Sequence, residues 1–446
     1  MDSVVLISLA ARAVEAAKAA GATASDALAT AATDINASIR NGAPETMERA
    51  ESAGVGLRVF VGRSVATLSS SDLTAEAMRA MAEQAVAIAQ AAPEDPFAGL
   101  ASHKQLAECW EVLDITDTAV PTMEQLQTMA RMAEDAGRAV AGITNSSGAD
   151  ASASQHHLAL VTSHGFSGHY TTSRYSLSAS LIAGSGETMQ RDYDYATVTH
   201  LRDLPAPEIV GTAAAERCVA KLQPRKIGSQ QAAVYFEPRV GRQFLSAFAN
   251  AISGAAVVRG TSFLKEALGT QIFAEGLTVT DDPLRARGLG SRPFDAEGIA
   301  GVARDFVRDG VLTSWLLDTR SANQLGMITT GHASRGLSGT PHPSSSNLYL
   351  HGGVRSIEDL FADLGDGFYV TETIGHGANL ITGDYSVGAS GFWIEGGVRV
   401  YPVSEVTIAG NLRDIFRTLV AADDLVFRYG TNVPTLAVPR MTIAGN

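Results

Sequence analysis

The sequence predicts an α+β fold, with a helix-and-strand region over residues 1–225 followed by a β-rich, glycine-rich domain over residues 226–446. Glycine supplies the first observation: about 14 of the 43 glycines precede residue 226 and about 29 follow it. Turn residues therefore concentrate in the second half, while the first half is rich in alanine and has helical periodicity. The second observation is a repeat within residues 1–225, which predicts a duplicated layer of helices and strands.

The first copy of the repeat covers residues 1–95. A helix at about 4–20 carries Arg12, Glu15 and Lys18 at helical spacing, which predicts an amphipathic helix of the folded domain and not a signal peptide. Strand-like segments follow near 27–40, 54–61 and 64–69. A helix over 74–91 completes the copy, and the Asn41-Gly42 pair predicts a turn between strands.

The second copy covers residues 120–225, after a proline-containing loop. Helices are expected at about 122–141 and 206–221. Between them lie three strand-like segments, near 157–162, 168–181 and 189–196. The order of elements is the same as in the first copy, although the two copies share little sequence identity.

The C-terminal domain begins with a strand near 232–236 and a helix over 237–254. Pro238 suits the first turn of that helix, and Gly254 is placed to cap its end. Apolar side chains recur every four residues, which predicts one buried face; they are Val240, Phe244, Phe248 and Ile252.

A glycine-punctuated run of strands between Thr382 and Leu412 is the most specific segment of the chain. It reads TGDYSVGASGFWIEGGVRVYPVSEVTIAGNL, with Gly396-Gly397 predicted as a hairpin turn. This run resembles the C-terminal signature of the PmbA/TldE branch of the TldD/PmbA family. In that family, the resemblance implies, a TldD-type subunit carries a zinc site for peptide cleavage, and a TldE-type subunit pairs with it and lacks the zinc ligands.

The helix over 237–254 indicates which kind of subunit this chain resembles. TldD-type subunits carry an HExxxH motif in the corresponding helix, with two zinc-binding imidazoles and a glutamate that acts as general base. Aligned by its glycines, the motif falls on Leu245, Ser246 and Asn250, none of which can replace those groups. The family's additional cysteine ligand also has no counterpart after Cys218. The resemblance therefore implies no catalytic residue, no metal and no cofactor in this chain, with zinc expected in a TldD-type partner.

Four histidines of the C-terminal domain offer an alternative metal site: His332, His342, His351 and His376. Their spacings of ten, nine and twenty-five residues match no local ligand motif. The surrounding Gly/Ser/Pro-rich stretch is more typical of a long exposed loop with solvated histidines, and this interpretation is favoured.

Two polar, glycine-containing segments are candidates for binding a peptide or a partner. Candidate side chains are His332, Ser334 and Arg335 in the first segment and Asp384, Tyr385 and Ser386 in the second. A peptide could add to a sheet edge there through main-chain hydrogen bonds. Conformationally required turns explain the same glycines equally well.

Composition argues against nucleic-acid binding, membrane insertion and a disulfide framework. A net charge of −13 disfavours nucleic-acid binding, which requires clustered Lys and Arg. No apolar run approaches the roughly 20 residues of a membrane-spanning helix. Only Cys109 and Cys218 are present, which favours a reducing cytoplasm over a disulfide framework.

The sequence thus predicts a PmbA/TldE-type subunit of a cytoplasmic TldD/TldE-type metalloprotease that acts on unfolded or small peptides. The chain itself is expected to be non-catalytic, to form a heterodimer with a TldD-type subunit and to complete the substrate channel. In isolation, a homodimer is the alternative to a monomer. Two alternatives remain: an independent hydrolase with a non-standard histidine site, and a homodimeric peptide-binding protein.

Overall fold

A computed structural model describes residues 2–375 and 377–445 of the chain. It contains both helices and several antiparallel and mixed sheets, so the predicted α+β class is confirmed.

The N-terminal region is built on one antiparallel sheet of six strands, in the order β3-β2-β1-β4-β5-β6. The strands are β1 (Ala24–Arg40), β2 (Ala43–Val61), β3 (Ser64–Ser70), β4 (Ile143–Thr162), β5 (Ser167–Ala183) and β6 (Gln190–Val198). The helices are α1 (Ser3–Ala19), α2 (Ala75–Ala91), α3 (Met123–Arg138) and α4 (Pro207–Ala220). Each half of the region therefore has the same order, a helix, three strands and a helix, with β1 and β4 paired at the centre.

All four helices cover one face of this sheet. The odd-numbered residues of β1 from Ala27 to Ile39, Thr33 excepted, belong to the two clusters that the helices bury. Because successive strand residues point to opposite faces, the even-numbered Asp26 and Leu28 point to the other side. Leu28 packs there with Phe294 of the C-terminal domain, so the second face of the sheet is the one that meets that domain.

Two strands are much longer than predicted. Strand β2 begins at Ala43 instead of residue 54, and β4 begins at Ile143 instead of residue 157. The additional residues of β2, from Ala43 to Ser52, are exposed and mostly polar, so they carry no apolar alternation to recognise. The predicted turn at Asn41-Gly42 is present, with both residues at positive φ (52° and 77°).

The C-terminal domain contains a barrel and a smaller sheet. The six-stranded sheet has the order β16-β15-β14-β7-β19-β17, and a further pairing of β16 with β19 closes five of its strands into the barrel. Its strands are β7 (Gln230–Phe236), β14 (Gly367–Ile374), β15 (Asp384–Glu395), β16 (Val398–Asn411), β17 (Val420–Ala421) and β19 (Leu436–Ala444). The predicted run over 382–412 forms the β15–β16 hairpin, and Gly396-Gly397 is its turn, at φ 57° and 83°.

The smaller sheet has the order β10-β9-β8-β13-β18. Its strands are β8 (Val279–Asp281), β9 (Arg304–Arg308), β10 (Val311–Leu312), β13 (Leu348–Leu350) and β18 (Thr431–Asn432), and a separate pair is β11 (Ala333–Ser334) with β12 (His342–Pro343). The helices of the domain are α5 (Pro238–Ala251), α6 (Gly254–Val258), α7 (Thr319–Leu325), α8 (Ile357–Leu364) and α9 (Leu412–Thr418).

Gly254 does not cap α5 as predicted. The helix ends at Ala251 with Ile252 as its C-cap, and Gly254 opens α6. A Cβ atom on Gly254 would lie 2.6 Å from side-chain atoms of both Leu317 and Ser321. Close packing against the segment leading into α7, and not a left-handed backbone, therefore accounts for glycine at this position.

Within the described ranges 2–375 and 377–445, no helix has both the length and the apolar character needed to cross a lipid bilayer.

Candidate functional site

An open cavity of about 560 Å³ lies where helix α5 meets strands β6, β14 and β15. Its polar lining residues are Asp192, Tyr193, Arg239, Arg242, Gln243, Ser246, Asn250, Thr371, Glu372, Thr373 and Tyr385. The volume is within the range of small-molecule and cofactor sites. We refer to this space as the α5 cavity.

Helix α5 is anchored in the core by its apolar face, and Val240, Phe244 and Ala247 at the edge of that face also line the cavity. Phe244 and Phe248 are buried in the main hydrophobic cluster of the C-terminal domain, as the four-residue spacing predicted. Gln243, Ser246 and Asn250 follow the i, i+3, i+7 pattern of the other face and line the cavity. The apolar periodicity of the sequence therefore indicates which side chains of α5 give the cavity its polar wall.

Strand β14 contributes a β-bulge at the cavity. Val370 pairs with Gly391 and Glu372 pairs with Ser390, so Thr371 is an extra residue between adjacent pairs. Bulges re-aim side chains and are frequent next to functional sites. Here the bulge accompanies the placement of Thr371, which is 7% exposed, in the cavity wall.

The three positions aligned with the zinc motif do not share one environment. Ser246 and Asn250 are exposed and line the α5 cavity, whereas Leu245 is 2% exposed and packed in the core. Leucine has no donor atom, and a serine hydroxyl and an asparagine amide are poor zinc ligands. These residues do not fit a zinc ion.

The two carboxylates that line the cavity are engaged by cations. Lys221 Nζ lies 2.7 Å from Asp192 Oδ2 and 2.7 Å from Glu372 Oε2. Arg239 donates two hydrogen bonds to Asp192, of 2.9 and 3.0 Å. Burial opposes ionisation of Asp192, but the bonds and charges of Arg239 and Lys221 outweigh it and lower the pKa of this carboxyl. This network joins β6 of the N-terminal region to α5 and β14 of the C-terminal domain.

Tyr385 is the one residue of the second predicted binding segment whose side chain lines the α5 cavity. It is 3% exposed, and burial raises the pKa of its hydroxyl. Asp384 and Ser386 alternate with it on β15 and are exposed. Asp384 accepts hydrogen bonds from Thr382 (2.7 Å) and Asn411 (3.2 Å), which lower its pKa.

The first predicted segment is not the exposed loop that the sequence suggested. His332 is 1% exposed; its Nε2 lies 3.1 Å from Asp281 Oδ2, and its Nδ1 lies 2.7 Å from the Thr330 carbonyl oxygen. The side chain of Arg335 is also buried, with Nη1 2.6 Å from Asp26 Oδ1. The expectation of a solvated histidine is wrong for His332, because a buried carboxylate far away in sequence supplies its partner. Neither residue, nor the half-buried Ser334, lines the α5 cavity.

The described histidines of the alternative metal site have separate surroundings. His342 is exposed in β12 opposite Ser334, while His351 stacks on Tyr349 at 4.9 Å and lies 2.8 Å from Thr280 Oγ1. His376 lies outside the described residues. Across residues 2–375 and 377–445, no three His, Cys, Asp or Glu side chains come together in a way that could hold a metal ion.

Sequence reasoning did not identify Arg242, Gln243, Thr371 or Glu372 as cavity residues. The helical face would have indicated Gln243, since it lies three residues before Ser246. Thr371 and Glu372 carried no comparable signal, because the bulge that places Thr371 depends on pairing between strands.

Comparison with known proteins places the chain in a family. Models of PmbA/TldA metallopeptidase domain 1, central domain and C-terminal domain match residues 26–89, 116–222 and 229–445. The metalloprotease PmbA of Escherichia coli O157:H7 is 37% identical over 415 residues, which are 93% of this chain and 90% of that protein.

Solved structures share the fold over nearly the whole chain. A proposed modulator of DNA gyrase from Bacteroides thetaiotaomicron superposes with a TM-score of 0.90 at 27% identity, covering 98% of each chain. TldE from Thermococcus kodakarensis has the same fold, with a TM-score of 0.86 at 18% identity over 97% of this chain and 99% of that one. The chain is a PmbA/TldE-type member of the TldD/PmbA metalloprotease family.

Proposed function

We propose that this chain is the non-catalytic subunit of a cytoplasmic TldD/TldE-type metalloprotease. It pairs with a zinc-bearing TldD-type subunit and completes the channel through which unfolded or small peptides reach the metal. The observation that carries this proposal is the chemistry of α5, where Leu245, Ser246 and Asn250 occupy the zinc-motif positions.

The α5 cavity supports a role in peptide binding. The helix, the bulged strand β14 and Tyr385 together enclose a polar space next to the degenerate motif. A chain that retains this space without metal ligands can still contribute walls and hydrogen bonds to a peptide site. Such a peptide site would have low sequence specificity, because it would recognise the main chain of the peptide and not its side chains.

Co-expression with a TldD-type subunit from the same organism tests the partnership. We expect a heterodimer that survives size-exclusion chromatography at micromolar concentration and carries about one zinc ion, because structural and catalytic zinc sites hold the ion tightly. That complex should cleave an unfolded substrate such as reduced, alkylated casein, with loss of cleavage on chelation.

The isolated chain is the matched control. It should contain less than about a tenth of an equivalent of zinc by mass spectrometry and should leave the same substrate intact. Separate elution of the two chains would contradict the partnership. Chelator-sensitive cleavage by the isolated chain would instead support the independent hydrolase.

A further inference from the structure

Three polar groups in the wall of the α5 cavity have no hydrogen-bond partner among the described residues. They are the side-chain amide nitrogen of Gln243 (Nε2), the hydroxyl of Thr371 and the hydroxyl of Tyr385. Thr371 and Tyr385 are 7% and 3% exposed. Buried polar groups are nearly always satisfied, because a group left without a partner loses the hydrogen bonds that it would make with water. Three in one cavity indicate a polar ligand that supplies the missing partners.

Arg242 adds a positive charge to the same cavity. Its Nε donates to the Arg239 carbonyl oxygen at 3.1 Å, and its guanidinium carbon lies 4.4 Å from the centre of the Tyr429 ring. No carboxylate of the described residues lies within 4.0 Å of its nitrogens, in contrast to Arg239, which is paired with Asp192 and Glu237. The two terminal nitrogens of Arg242 are therefore available, on a guanidinium held in place by stacking.

The positive charge of Arg242, unpaired among the described residues, indicates that the ligand carries a negative group. Both acidic residues that line the described cavity, Asp192 and Glu372, are paired with Lys221. In the described wall, Arg242 is thus a cation without a counter-ion, whereas both carboxylates are already paired. This charge distribution favours a ligand with a single negative group. The neutral amide and hydroxyls beside Arg242 suit the amide and carbonyl groups of a polypeptide.

We propose that the α5 cavity binds the carboxyl-terminal end of a peptide, with the terminal carboxylate at Arg242 and main-chain amides at Gln243, Thr371 and Tyr385. Capture of a terminal carboxylate is a known mode of peptide recognition, and a planar guanidinium matches its geometry. The inference rests on the proposed function only for the origin of the peptide, and it concerns this chain without its partner.

Fluorescence anisotropy on the isolated full-length chain tests the proposal. The probe is a fluorescein-labelled octapeptide of alanine, glycine and serine, prepared with a free carboxyl terminus and as the terminal amide. We expect the free carboxylate to bind about tenfold more tightly, because the amide loses one charge-assisted hydrogen-bonded pair. Equal binding of the two peptides, or binding of neither, would overturn the proposal.

Variants locate the binding. Arg242→Gln should abolish the preference for the carboxylate, whereas Arg242→Lys should retain part of it because the charge remains. Tyr385→Phe should weaken both peptides by about fivefold and leave their ratio unchanged, since it removes one neutral hydrogen bond. Arg259→Gln is the matched control, because Arg259 is exposed at the end of α6 and lies outside the cavity.

The peptide-binding experiment and the heterodimer experiment can fail independently of each other. If Arg242→Gln retains the carboxylate preference while circular dichroism shows a native fold, the cavity is not the site, even where the heterodimer forms. If the heterodimer fails to form but the isolated chain discriminates the two peptides through Arg242, the proposed binding site is supported and the proposed partnership is contradicted.

Discussion

Asp26 is completely buried and yet surrounded by charge. Its carboxylate pairs with Arg58, the residue opposite it on β2, and with Arg335 from the C-terminal domain. Burial opposes ionisation, but the two guanidinium groups outweigh it and lower the pKa of Asp26. A single side chain thus joins the N-terminal sheet to the domain that carries the α5 cavity.

Replacing Asp26 by asparagine should be strongly destabilising. The change leaves Arg58 and Arg335 buried with less compensating charge, and breaking a buried ion pair costs about 3–5 kcal/mol. We expect a decrease of that size in the free energy of unfolding, measured by urea denaturation at pH 7. Asp34→Asn on the same strand is the control, because Asp34 is half exposed and its ion pair, with His156 at 3.4 Å, lies at the surface. Similar losses in both variants would contradict this account.

Helices α3 and α4 pack closely against each other at a glycine. Gly211 of α4 lies against the backbone of α3, where an added Cβ atom would lie 1.8 Å from the Ala133 carbonyl oxygen. Small residues therefore let the two helices cover β4 and β5 at close range. Glycine is otherwise unfavourable within a helix, which makes its presence here a consequence of packing.

Gly211→Ala tests this contact. Higher helix propensity would favour alanine by about 1 kcal/mol, but the steric overlap forces the helices apart and should cost about 1–3 kcal/mol or more in net stability. Thermal unfolding followed by circular dichroism measures the effect. Gly228→Ala serves as control, since a Cβ atom there meets nothing within 4 Å and should change stability by less than about 1 kcal/mol. An unchanged thermal unfolding midpoint for Gly211→Ala would contradict the prediction, because it would mean that α3 and α4 move apart without loss of stability.

The N-terminal sheet and the C-terminal domain meet across an interface that is both apolar and charged. Phe166 and Phe294 pack at 4.9 Å, and beside them Glu297 lies 3.5 Å from Arg58 and accepts a 2.8 Å hydrogen bond from the Thr319 amide. Burial is the largest influence on Glu297 and raises the pKa of its carboxyl from 4.5 to about 7, in spite of Arg58. The interface therefore contains a group that titrates near neutral pH.

This titration predicts how stability depends on pH. Between pH 4.5 and about 7 the folded protein holds the Glu297 proton while the unfolded chain has released it. The folded state then binds more protons, so the contribution of Glu297 to the free energy of unfolding falls as pH rises through this window, by on the order of 3 kcal/mol.

Urea denaturation at pH 5 and pH 8 checks the prediction with Glu297→Gln. The variant cannot titrate at this position and should lose clearly less stability than the unaltered protein between the two pH values. Glu216→Gln, an exposed position on α4, should behave like the unaltered protein. A pH dependence that is the same in all three proteins would assign the titration to other groups.

Much of the fold could be predicted because it depends on local patterns. Apolar spacing located α5 and its buried face, and paired glycines located the turn between β15 and β16. The identities of Leu245, Ser246 and Asn250, set against the family motif, were likewise available from the sequence. The exposed half of β2 was missed, since its polar residues form a hairpin without an apolar pattern.

The sequence by itself determined the α+β class, the repeated order of elements and the residues at the zinc-motif positions, because each follows from neighbours along the chain. The tertiary structure decided that His332 and Arg335 are buried against Asp281 and Asp26. It also gathered Arg242, Thr371 and Tyr385 around one cavity. These arrangements depend on burial and on partners distant in sequence, which only the packed chain brings together.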